Sequence, residues 1–215
     1  MDINQTLENL RVSYQASKLD IEDCHKDPVI QFDKWLEESI LSKCDEPNAF
    51  VLSTVKEGRP RARVLLLKGV HKNDFVFYTN YKSAKGSEIN SNDQVCMTFF
   101  WLPLQRQVRI EGTISKIDDK ISDEYFHKRP RGSQLGAIAS PQSKKIKSRN
   151  ELEEMFRSAE EKYKNENTLP RPSHWGGYMV TPTYVEFWQG RNNRMHDRIC
   201  YEKKNGSWEI YRLAP

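Results

Sequence analysis

Short runs of apolar residues recur along most of the chain, and this pattern predicts a molecule rich in β-strands. Residues 57–60, with Gly58 and Pro60, form a predicted turn between the first two strands. Asn205-Gly206 is a strong hairpin signal near the end of the chain. The predicted strands cover residues 49–55, 61–70, 75–79, 94–101, 106–117, 178–180 and 184–188, and two more flank Asn205-Gly206.

A helical repeat of apolar residues begins at Pro28. Asp27 is a typical N-cap, and proline is favoured at the first position of a helix. Apolar residues then recur every three to four positions, which predicts one buried stripe. The residues of that stripe are Val29, Phe32, Leu36 and Ile40.

Three further helices are predicted. Residues 83–90 form a short helix with Ser83 as its N-cap, and residues 118–129 form another that ends before Pro130. The segment S-R-N-E at residues 148–151 matches a capping box and begins the third. Its predicted apolar face consists of Leu152, Met155, Phe156, Ala159 and Tyr163.

The order of these elements favours a mainly β fold with added helices, in the form of an antiparallel barrel. A doubly wound sheet would need a regular alternation of strand and helix, which the pattern lacks, and no Rossmann or P-loop glycine signature is present. The first two dozen residues are polar, so residues 1–27 are predicted to be an arm ordered only through contact with something else. Residues 28–215 are predicted to form a single domain.

Composition narrows the functional classes. Of the 215 residues, 37% are hydrophobic, which is enough to bury a core. No apolar stretch approaches the roughly 20 residues that span a bilayer, and the N-terminus lacks signal-peptide features, so we expect a cytoplasmic protein without membrane partners. The four scattered cysteines are expected to be reduced, and no metal site is predicted. The net charge of +4 is not clustered, which argues against a nucleic-acid partner.

Three cations lie along one predicted strand, at Arg61, Arg63 and Lys68. Side chains alternate between the two faces of an uninterrupted strand. Arg63 and Lys68 would therefore face opposite sides and could bind two different anions. The alternative is that Arg61 and Lys68 are surface residues at the strand ends.

Two other groups of residues could bind phosphate. Ser83 and Lys85 lie at a predicted helix start, where backbone N–H groups favour anions; the alternative is a solvated first turn. Tyr125 and Arg129 share a helix face and Ser133 follows, so two hydroxyls and a guanidinium could converge. The alternative for this second group is the end of an ordinary amphipathic helix.

The segment from Trp188 to Arg198 is unusually dense in functional side chains. Its sequence, W-Q-G-R-N-N-R-M-H-D-R, bends at a glycine after an apolar strand. Binding and catalytic residues concentrate on loops that rigid strands hold in place. His196, two residues from Arg194, is therefore a candidate for ligand contact; the alternative is a structural histidine.

Taken in order, these segments resemble the pyridoxamine 5′-phosphate oxidase family. The resemblance runs from about Arg11 to Pro215, nearly the whole chain. It rests on the blocks R-A-R-V-L-L-L-K-G, R-Q-V-R-I-E-G, Y-F-H-K-R-P-R-G-S-Q-L-G-A, S-H-W-G-G-Y, E-F-W-Q-G-R-N-N-R-M-H-D-R and Y-R-L-A-P.

The resemblance implies an FMN-binding split β-barrel and a homodimer with FMN at the subunit interface. It also implies that pyridoxine or pyridoxamine 5′-phosphate is oxidised to pyridoxal 5′-phosphate, with a hydride passing from the 4′ carbon to N5 of the flavin. Oxygen then reoxidises the flavin and yields hydrogen peroxide, and the amine substrate also releases ammonia. The flavin carries the redox chemistry while the protein orients and polarises the substrate.

The resemblance also implies roles for individual residues. Arg63 would bind the FMN phosphate, and Arg194 and His196 would be the catalytic residues above the substrate ring. The full set implied for FMN is Arg63, Val64, Leu65, Leu66, Tyr78, Thr79, Lys85, Gln107, Gln142, Ser143, Trp188 and Arg198. The set implied for the substrate is Lys68, Tyr125, Arg129 and Ser133 on its phosphate, Arg194, Met195 and His196 over its ring, and Arg11, Val12, Ser13 and Tyr14 in an arm that closes over it.

One position departs from the family pattern. The family usually has arginine before the lysine of an S-R-K motif, and this chain has Ala84. A charge-assisted hydrogen bond is worth about 1.5–3 kcal/mol, so we expect weaker FMN retention. Two other readings stay open. One is a different FMN-binding split-barrel protein, a flavin reductase or carrier; the other is a basic RNA-binding or interaction module.

Overall fold

The computed structural model describes residues 2–10 and 13–215. Arg11 and Val12, which were predicted to contact the substrate, lie outside the described residues. The helices are α1 (Ile3–Asn9), α2 (Pro28–Leu41), α3 (Ala84–Ser91), α4 (Asp119–Lys128), α5 (Arg131–Ala139) and α6 (Arg149–Lys162). The strands are β1 (Ala49–Lys56), β2 (Arg59–Leu66), β3 (Gly69–His71), β4 (Asp74–Asn80), β5 (Gln94–Trp101), β6 (Arg106–Lys116), β7 (Trp175–Gln189), β8 (Asp197–Lys204) and β9 (Ser207–Leu213).

The strands pair in the order β2-β1-β5-β6-β7-β4-β3, and the hairpin of β8 and β9 joins at β7. Strand β3 pairs antiparallel with β4, β4 with β7, β7 with β8 and β8 with β9. Strand β7 pairs with β6 and with two further strands, since its residues 175–180 pair with β4 and its residues 184–189 pair with β8. The predicted mainly β, antiparallel architecture with added helices is confirmed.

Two strand predictions need correction. Residues 61–70 were predicted as one strand, but β2 ends at residue 66 and β3 begins at residue 69, which leaves Lys68 between them. The argument that Arg63 and Lys68 face opposite sides of one uninterrupted strand is therefore wrong. Residues 178–180 and 184–188, predicted as two strands, belong to the single strand β7. Pro182 is tolerated there because it lies between the two segments that pair with β4 and β8.

The predicted turns and N-caps are confirmed, but the predicted capping box is only half formed, because Glu151 accepts from the N–H of Lys147 and not from that of Ser148. Asn205 and Gly206 have φ values of 50° and 83°, the left-handed pair that a tight two-residue hairpin requires. The side chains of Asp27, Ser83 and Ser148 each accept a hydrogen bond from a backbone N–H in the first turn of α2, α3 and α6.

The stripe predicted on α2 is wrong at its far end. Val29 and Phe32 are buried as expected, but Ile40 is 55% exposed. The buried face passes instead through Trp35 and Ser39, about 100° around the helix from the predicted positions. The large ring of Trp35 is buried on this face and packs edge-on against Phe187.

Two helices were not predicted. Helix α5 contains two glycines and a serine, which lower its helix propensity, and it is held instead by the burial of Leu135. Helix α1 lies within the segment predicted to be an arm, and none of its residues is buried.

The chain divides into two compact units. Unit 1 comprises Met1–Phe50, Met97–Glu111 and Thr183–Pro215, and unit 2 comprises Val51–Cys96 and Gly112–Pro182. The predicted division into an arm of residues 1–27 and one domain of residues 28–215 stays a prediction.

Each unit has an aromatic core. In unit 1, Phe32 of α2 meets Phe99 with ring centres 4.9 Å apart, and Trp35 meets the edge of Phe187 at 5.1 Å. In unit 2, the buried cluster consists of Phe126, Leu135, Ala159, Leu169 and Trp175. Among the described helices, none is both long and apolar enough to cross a membrane.

Candidate functional site

A tight ionic contact holds Arg63 in unit 2. One guanidinium nitrogen donates to the hydroxyl of Thr54 at 2.6 Å and to the carbonyl of Leu52 at 3.2 Å. The other nitrogen donates to the carboxylate of Glu88 at 2.5 Å, and Thr54 donates to the same carboxylate at 2.6 Å. Burial alone would raise the pKa of Glu88, but the hydrogen bonds from Thr54 and Arg63 lower it, so the carboxylate is charged.

Lys85 lies one helical turn before Glu88, at the start of α3, and is 7% exposed. Its ammonium group donates to the hydroxyls of Thr79 at 3.2 Å and Ser83 at 3.4 Å. Burial, together with the charge of Arg63, lowers the pKa of Lys85. A buried cation held by hydroxyls is suited to an anion. We call Arg63, Lys85 and Thr79 the Arg63–Lys85 cluster.

A glycine lets α3 begin at this place. A Cβ atom at Gly86 would lie 2.0 Å from the carbonyl oxygen of Tyr81, so no larger residue fits without movement of the backbone. The close approach sets the first turn of α3, and with it Lys85, directly after β4.

A stack of aromatic rings lies beside the predicted phosphate clamp. Tyr78 and Tyr125 are stacked face to face with ring centres 3.8 Å apart, and Tyr78 is also parallel to Trp175 at 5.6 Å. The guanidinium carbon of Arg129 lies 4.6 Å above the Trp175 ring. The structure therefore brings Tyr125 and Arg129 together as predicted. Helix α4 ends one residue earlier than predicted, so Arg129 is its C-cap and has an extended backbone conformation.

Arg129 has an unsatisfied donor. Its Nη1 atom is buried and has no hydrogen-bond partner among residues 2–10 and 13–215. Burial lowers the pKa of Arg129, and the nearby Tyr125 acts in the opposite direction. Arg129 and Ser133 line a cavity of about 390 Å³. The cavity is also lined by Leu65, Tyr78, Thr79, Asn80, Gly136, Ala137, Ser140, Gln142 and Trp175.

A second group of predicted residues lies in unit 1. The ring centres of Trp188 and His196 are 4.6 Å apart, and Tyr14 lies 5.9 Å from Trp188 and 5.8 Å from His196. Gly190 allows this arrangement, because a Cβ atom there would lie 2.9 Å from the Tyr14 ring. The predicted arm residue Tyr14 thus packs on two predicted site residues.

Residues 190–196, which we call the bend after β7, fix the tautomer of His196. The backbone N–H of Arg191 donates to Nδ1 of His196 at 3.0 Å, so Nδ1 is an acceptor and the proton of the neutral ring is on Nε2. Burial and the charge of Arg194 lower the pKa of His196, which favours the neutral form. Asn193 and Arg194 have φ values of 57° and 60°, so the chain takes two successive left-handed residues just before His196.

The bend also borders an open cavity. Arg194 and Met195 are exposed, Met195 by 66%. The cavity, of about 590 Å³, is lined by Leu10, Ser13, Tyr14, Arg191, Asn193, Arg194 and His196. Ser13, Tyr14, Arg194 and His196 thus border one space, and their contact with a substrate stays a prediction.

Arg198 is held by a buried carboxylate. It donates to the two oxygens of Glu186 at 2.7 Å and 3.1 Å and to the carbonyl of Ala214 at 3.0 Å. Arg109 donates to the same carboxylate at 2.8 Å. Although burial alone would raise the pKa of Glu186, the bonds from Arg198 and Arg109 lower it.

The described part of the arm is anchored within unit 1. The backbone N–H groups of Gln15 and Ala16 donate to the side-chain oxygen of Gln105 at 2.8 Å and 3.0 Å. The N–H of Leu19 donates to Asp197 at 3.0 Å, and Leu19 is buried. These contacts place Tyr14 over the bend.

Of the other residues predicted to contact FMN, Leu65, Tyr78, Thr79 and Gln142 line the 390 Å³ cavity, whereas the rest do not. Val64 is 64% exposed on β2, and Lys68 is exposed and does not line the 390 Å³ cavity. Gln142 accepts a hydrogen bond from Thr79 at 3.5 Å. Leu66 and Gln107 are half-buried on β2 and β6, and Ser143 is exposed.

Three residues at these sites were missed by the sequence reasoning. The sequence could have indicated Glu88, since it follows Lys85 by three positions and shares its helix face. Trp175 lies in the quoted S-H-W-G-G-Y block, where it could have been singled out as an aromatic partner for a cation. Gln105 has no such signal, because its importance comes from a left-handed backbone (φ 54°) and from contact with the distant arm.

Comparison with known proteins decides the family. Residues 36–163 match the family model described as pyridoxamine 5′-phosphate oxidase. The chain belongs to this family. Residues 175–215 match the model of the pyridoxine 5′-phosphate oxidase C-terminal dimerisation region. Membership confirms the prediction of an oxidoreductase.

Curated relatives agree with this membership. The chain is 51% identical to the pyridoxine/pyridoxamine 5′-phosphate oxidase of Leptospira interrogans over 97% of this chain and 98% of that protein. It is 48% identical to the protein of that name from Salinibacter ruber over 97% and 99% of the two chains.

The fold matches two solved structures. PhzG from Burkholderia lata 383, solved in complex with tetrahydrophenazine-1-carboxylic acid, superposes with a TM-score of 0.88, at 24% identity over 95% of this chain and 100% of that one. A pyridoxamine 5′-phosphate oxidase-related, FMN binding protein from Nostoc punctiforme gives 0.72, at 16% identity over 88% and 98%. The predicted fold class, the FMN-binding split β-barrel, is confirmed.

Proposed function

We propose that this chain is an FMN-dependent oxidase that converts pyridoxine 5′-phosphate or pyridoxamine 5′-phosphate to pyridoxal 5′-phosphate. The observation that carries the proposal is the buried, unpartnered Nη1 of Arg129 beside a cavity. A desolvated guanidinium without a partner is costly unless an anion binds it. A substrate phosphate would supply that anion, together with hydrogen bonds from the hydroxyls of Tyr125 and Ser133.

The Arg63–Lys85 cluster fits the phosphate of FMN. It offers a buried ammonium, a guanidinium and a hydroxyl, and no carboxylate bonds to Lys85 within the described residues. When bound, FMN would accept a hydride from the 4′ carbon of the substrate and pass the electrons to oxygen, giving hydrogen peroxide. With the amine substrate, water then hydrolyses the resulting imine, which releases ammonia. The other FMN contacts that we propose are the residues implied by the family resemblance, namely Val64, Leu65, Leu66, Tyr78, Gln107, Gln142, Ser143, Trp188 and Arg198.

The residues of the chain contribute binding and orientation. Arg129, Tyr125 and Ser133 would fix the substrate phosphate, and the binding energy gained there can be used to orient the reacting carbon. Lys68, placed on this phosphate by the resemblance, stays a proposed contact.

The bend after β7 would act on the substrate ring. Neutral His196 presents an Nε2–H donor and Arg194 a guanidinium, and both could orient the substrate through hydrogen bonds to the polar groups on its ring. Tyr14 would exclude water from the ring, since it already packs against Trp188 and His196.

A homodimer is part of the proposal. The match of residues 175–215 to a dimerisation region supports it, and FMN at the subunit interface remains a proposed placement. Size-exclusion chromatography with light scattering measures the mass directly, and a monomer would contradict this part.

Product analysis tests the proposed reaction. Incubation of the FMN-loaded protein with pyridoxamine 5′-phosphate in air should yield pyridoxal 5′-phosphate, ammonia and hydrogen peroxide in equal amounts. Replacing both Arg194 and His196 should greatly reduce the rate while the protein stays yellow. A yellow native protein that makes no product would instead favour a flavin reductase or carrier.

A further inference from the structure

An acidic residue lies among the cations proposed to hold the FMN phosphate. Glu88 is 3% exposed, and its carboxylate bonds to Arg63 at 2.5 Å and to Thr54 at 2.6 Å. Because Thr54 also accepts from Arg63 at 2.6 Å, the three side chains form a closed triangle. Glu88 therefore fixes the position of the Arg63 guanidinium.

The same carboxylate changes the charge of the cluster. Arg63 and Lys85 contribute two positive charges and Glu88 one negative charge, which leaves a formal charge of +1. Ala84, at the position before Lys85, contributes none. A phosphate monoester carries about −1.5 to −2 charges at pH 7, so the cluster neutralises only part of it.

The negative charge of Glu88 also acts on Lys85. Its ammonium group is held by neutral hydroxyls, and Glu88 follows it by one helical turn. The nearby carboxylate acts on the pKa of Lys85 in the direction opposite to burial and Arg63, so the two groups interact electrostatically. A phosphate placed against Lys85 would therefore also meet the field of Glu88.

We propose that Glu88 limits the affinity of this protein for the phosphate end of FMN, while it holds Arg63 in the orientation that binds that phosphate. The inference rests on the proposed function, since it assumes that the Arg63–Lys85 cluster binds FMN. Its consequence is a cofactor that exchanges readily and a small preference for FMN over riboflavin, which lacks the phosphate.

Two substitutions separate the charge of Glu88 from its role as an anchor. Glu88→Gln removes the charge but keeps an oxygen that can accept from Arg63 or Thr54. Glu88→Ala removes both the charge and the anchor. Removing one buried like charge near a phosphate should tighten FMN binding by ~10-fold in Glu88→Gln. Glu88→Ala should gain less, because the freed guanidinium must be ordered again on binding.

The test is a flavin titration of the full chain freed of flavin, followed by fluorescence quenching, with FMN and with riboflavin. Glu88→Gln should lower the dissociation constant of FMN and leave that of riboflavin unchanged. Glu154→Gln, which removes an exposed carboxylate from α6 in the same unit, is the control and should change neither. Thermal unfolding of each variant checks that it is folded.

The outcomes distinguish this inference from the proposed function. A native protein that binds FMN, with a Glu88→Gln variant whose FMN affinity is equal or weaker, overturns the inference alone. Equal tightening of FMN and riboflavin also overturns it, because the phosphate would not be involved. A native protein that binds neither flavin overturns the proposed function itself.

Discussion

Arg129→Met should lower activity without lowering stability. The buried Nη1 of Arg129 lacks a partner, and an unsatisfied buried donor costs about 1–3 kcal/mol. Methionine keeps an unbranched chain over the Trp175 ring, and a sulfur–aromatic contact of about 0.3–1.5 kcal/mol offsets the lost cation–π contact. We therefore expect the free energy of unfolding to stay constant or to rise by about 1 kcal/mol.

Activity should fall in the same variant. The guanidinium would form charge-assisted hydrogen bonds to the substrate phosphate, each worth about 1.5–3 kcal/mol. Loss of about 2–3 kcal/mol corresponds to a ~30- to 150-fold lower kcat/KM. Urea unfolding gives the stability, and steady-state kinetics with pyridoxine 5′-phosphate gives the activity, with FMN content as the control. A destabilised variant, or one with kcat/KM within threefold of native, would refute the reasoning.

Three further predictions follow from the same contacts. Ala84→Arg should lower the FMN dissociation constant by ~10-fold or more by adding a charge-assisted contact, and equal affinities in a flavin titration would contradict this. The rate of the native protein should fall as the pH drops below about 6.5, the usual pKa of histidine. The pKa of His196 is lowered, and its protonation at Nδ1 would break the hydrogen bond from the Arg191 N–H. This fall in rate at acid pH should be absent from the pH profile of His196→Asn. Gly190→Ala should displace Tyr14, raise KM severalfold and speed proteolysis of the arm without changing FMN affinity; an unchanged KM would contradict this.

The fold could be predicted from the sequence wherever a local signal determines the structure. Caps at Ser83 and Ser148 and the turn at Asn205-Gly206 depend on neighbouring residues only, and all three are confirmed. Helix α5 could not be predicted, because its glycines disfavour a helix and only the packing of Leu135 supports it. Which face of α2 is buried likewise could not be predicted, because it depends on the contact of Trp35 with the distant Phe187.

The candidate site was predictable in its cations and not in the partners of those cations. Arg63 lies on an apolar strand and Arg129 shares a helix face with Tyr125, so the sequence suggests anion binding at both. Whether each has a carboxylate partner depends on contacts across the fold, namely Glu88 for Arg63, and this changes the expected affinity. The strand argument for Lys68 failed because the break between β2 and β3 carries no proline or glycine before residue 69.

Reduction of bound flavin without oxygen tests the central claim most directly. Pyridoxine 5′-phosphate added anaerobically to the yellow protein should bleach the flavin absorption band, and admission of air should restore it. Pyridoxine without its phosphate should bleach the band far more slowly, because Arg129 then has no anion to bind. A flavin band that persists in the presence of saturating pyridoxine 5′-phosphate would contradict the account.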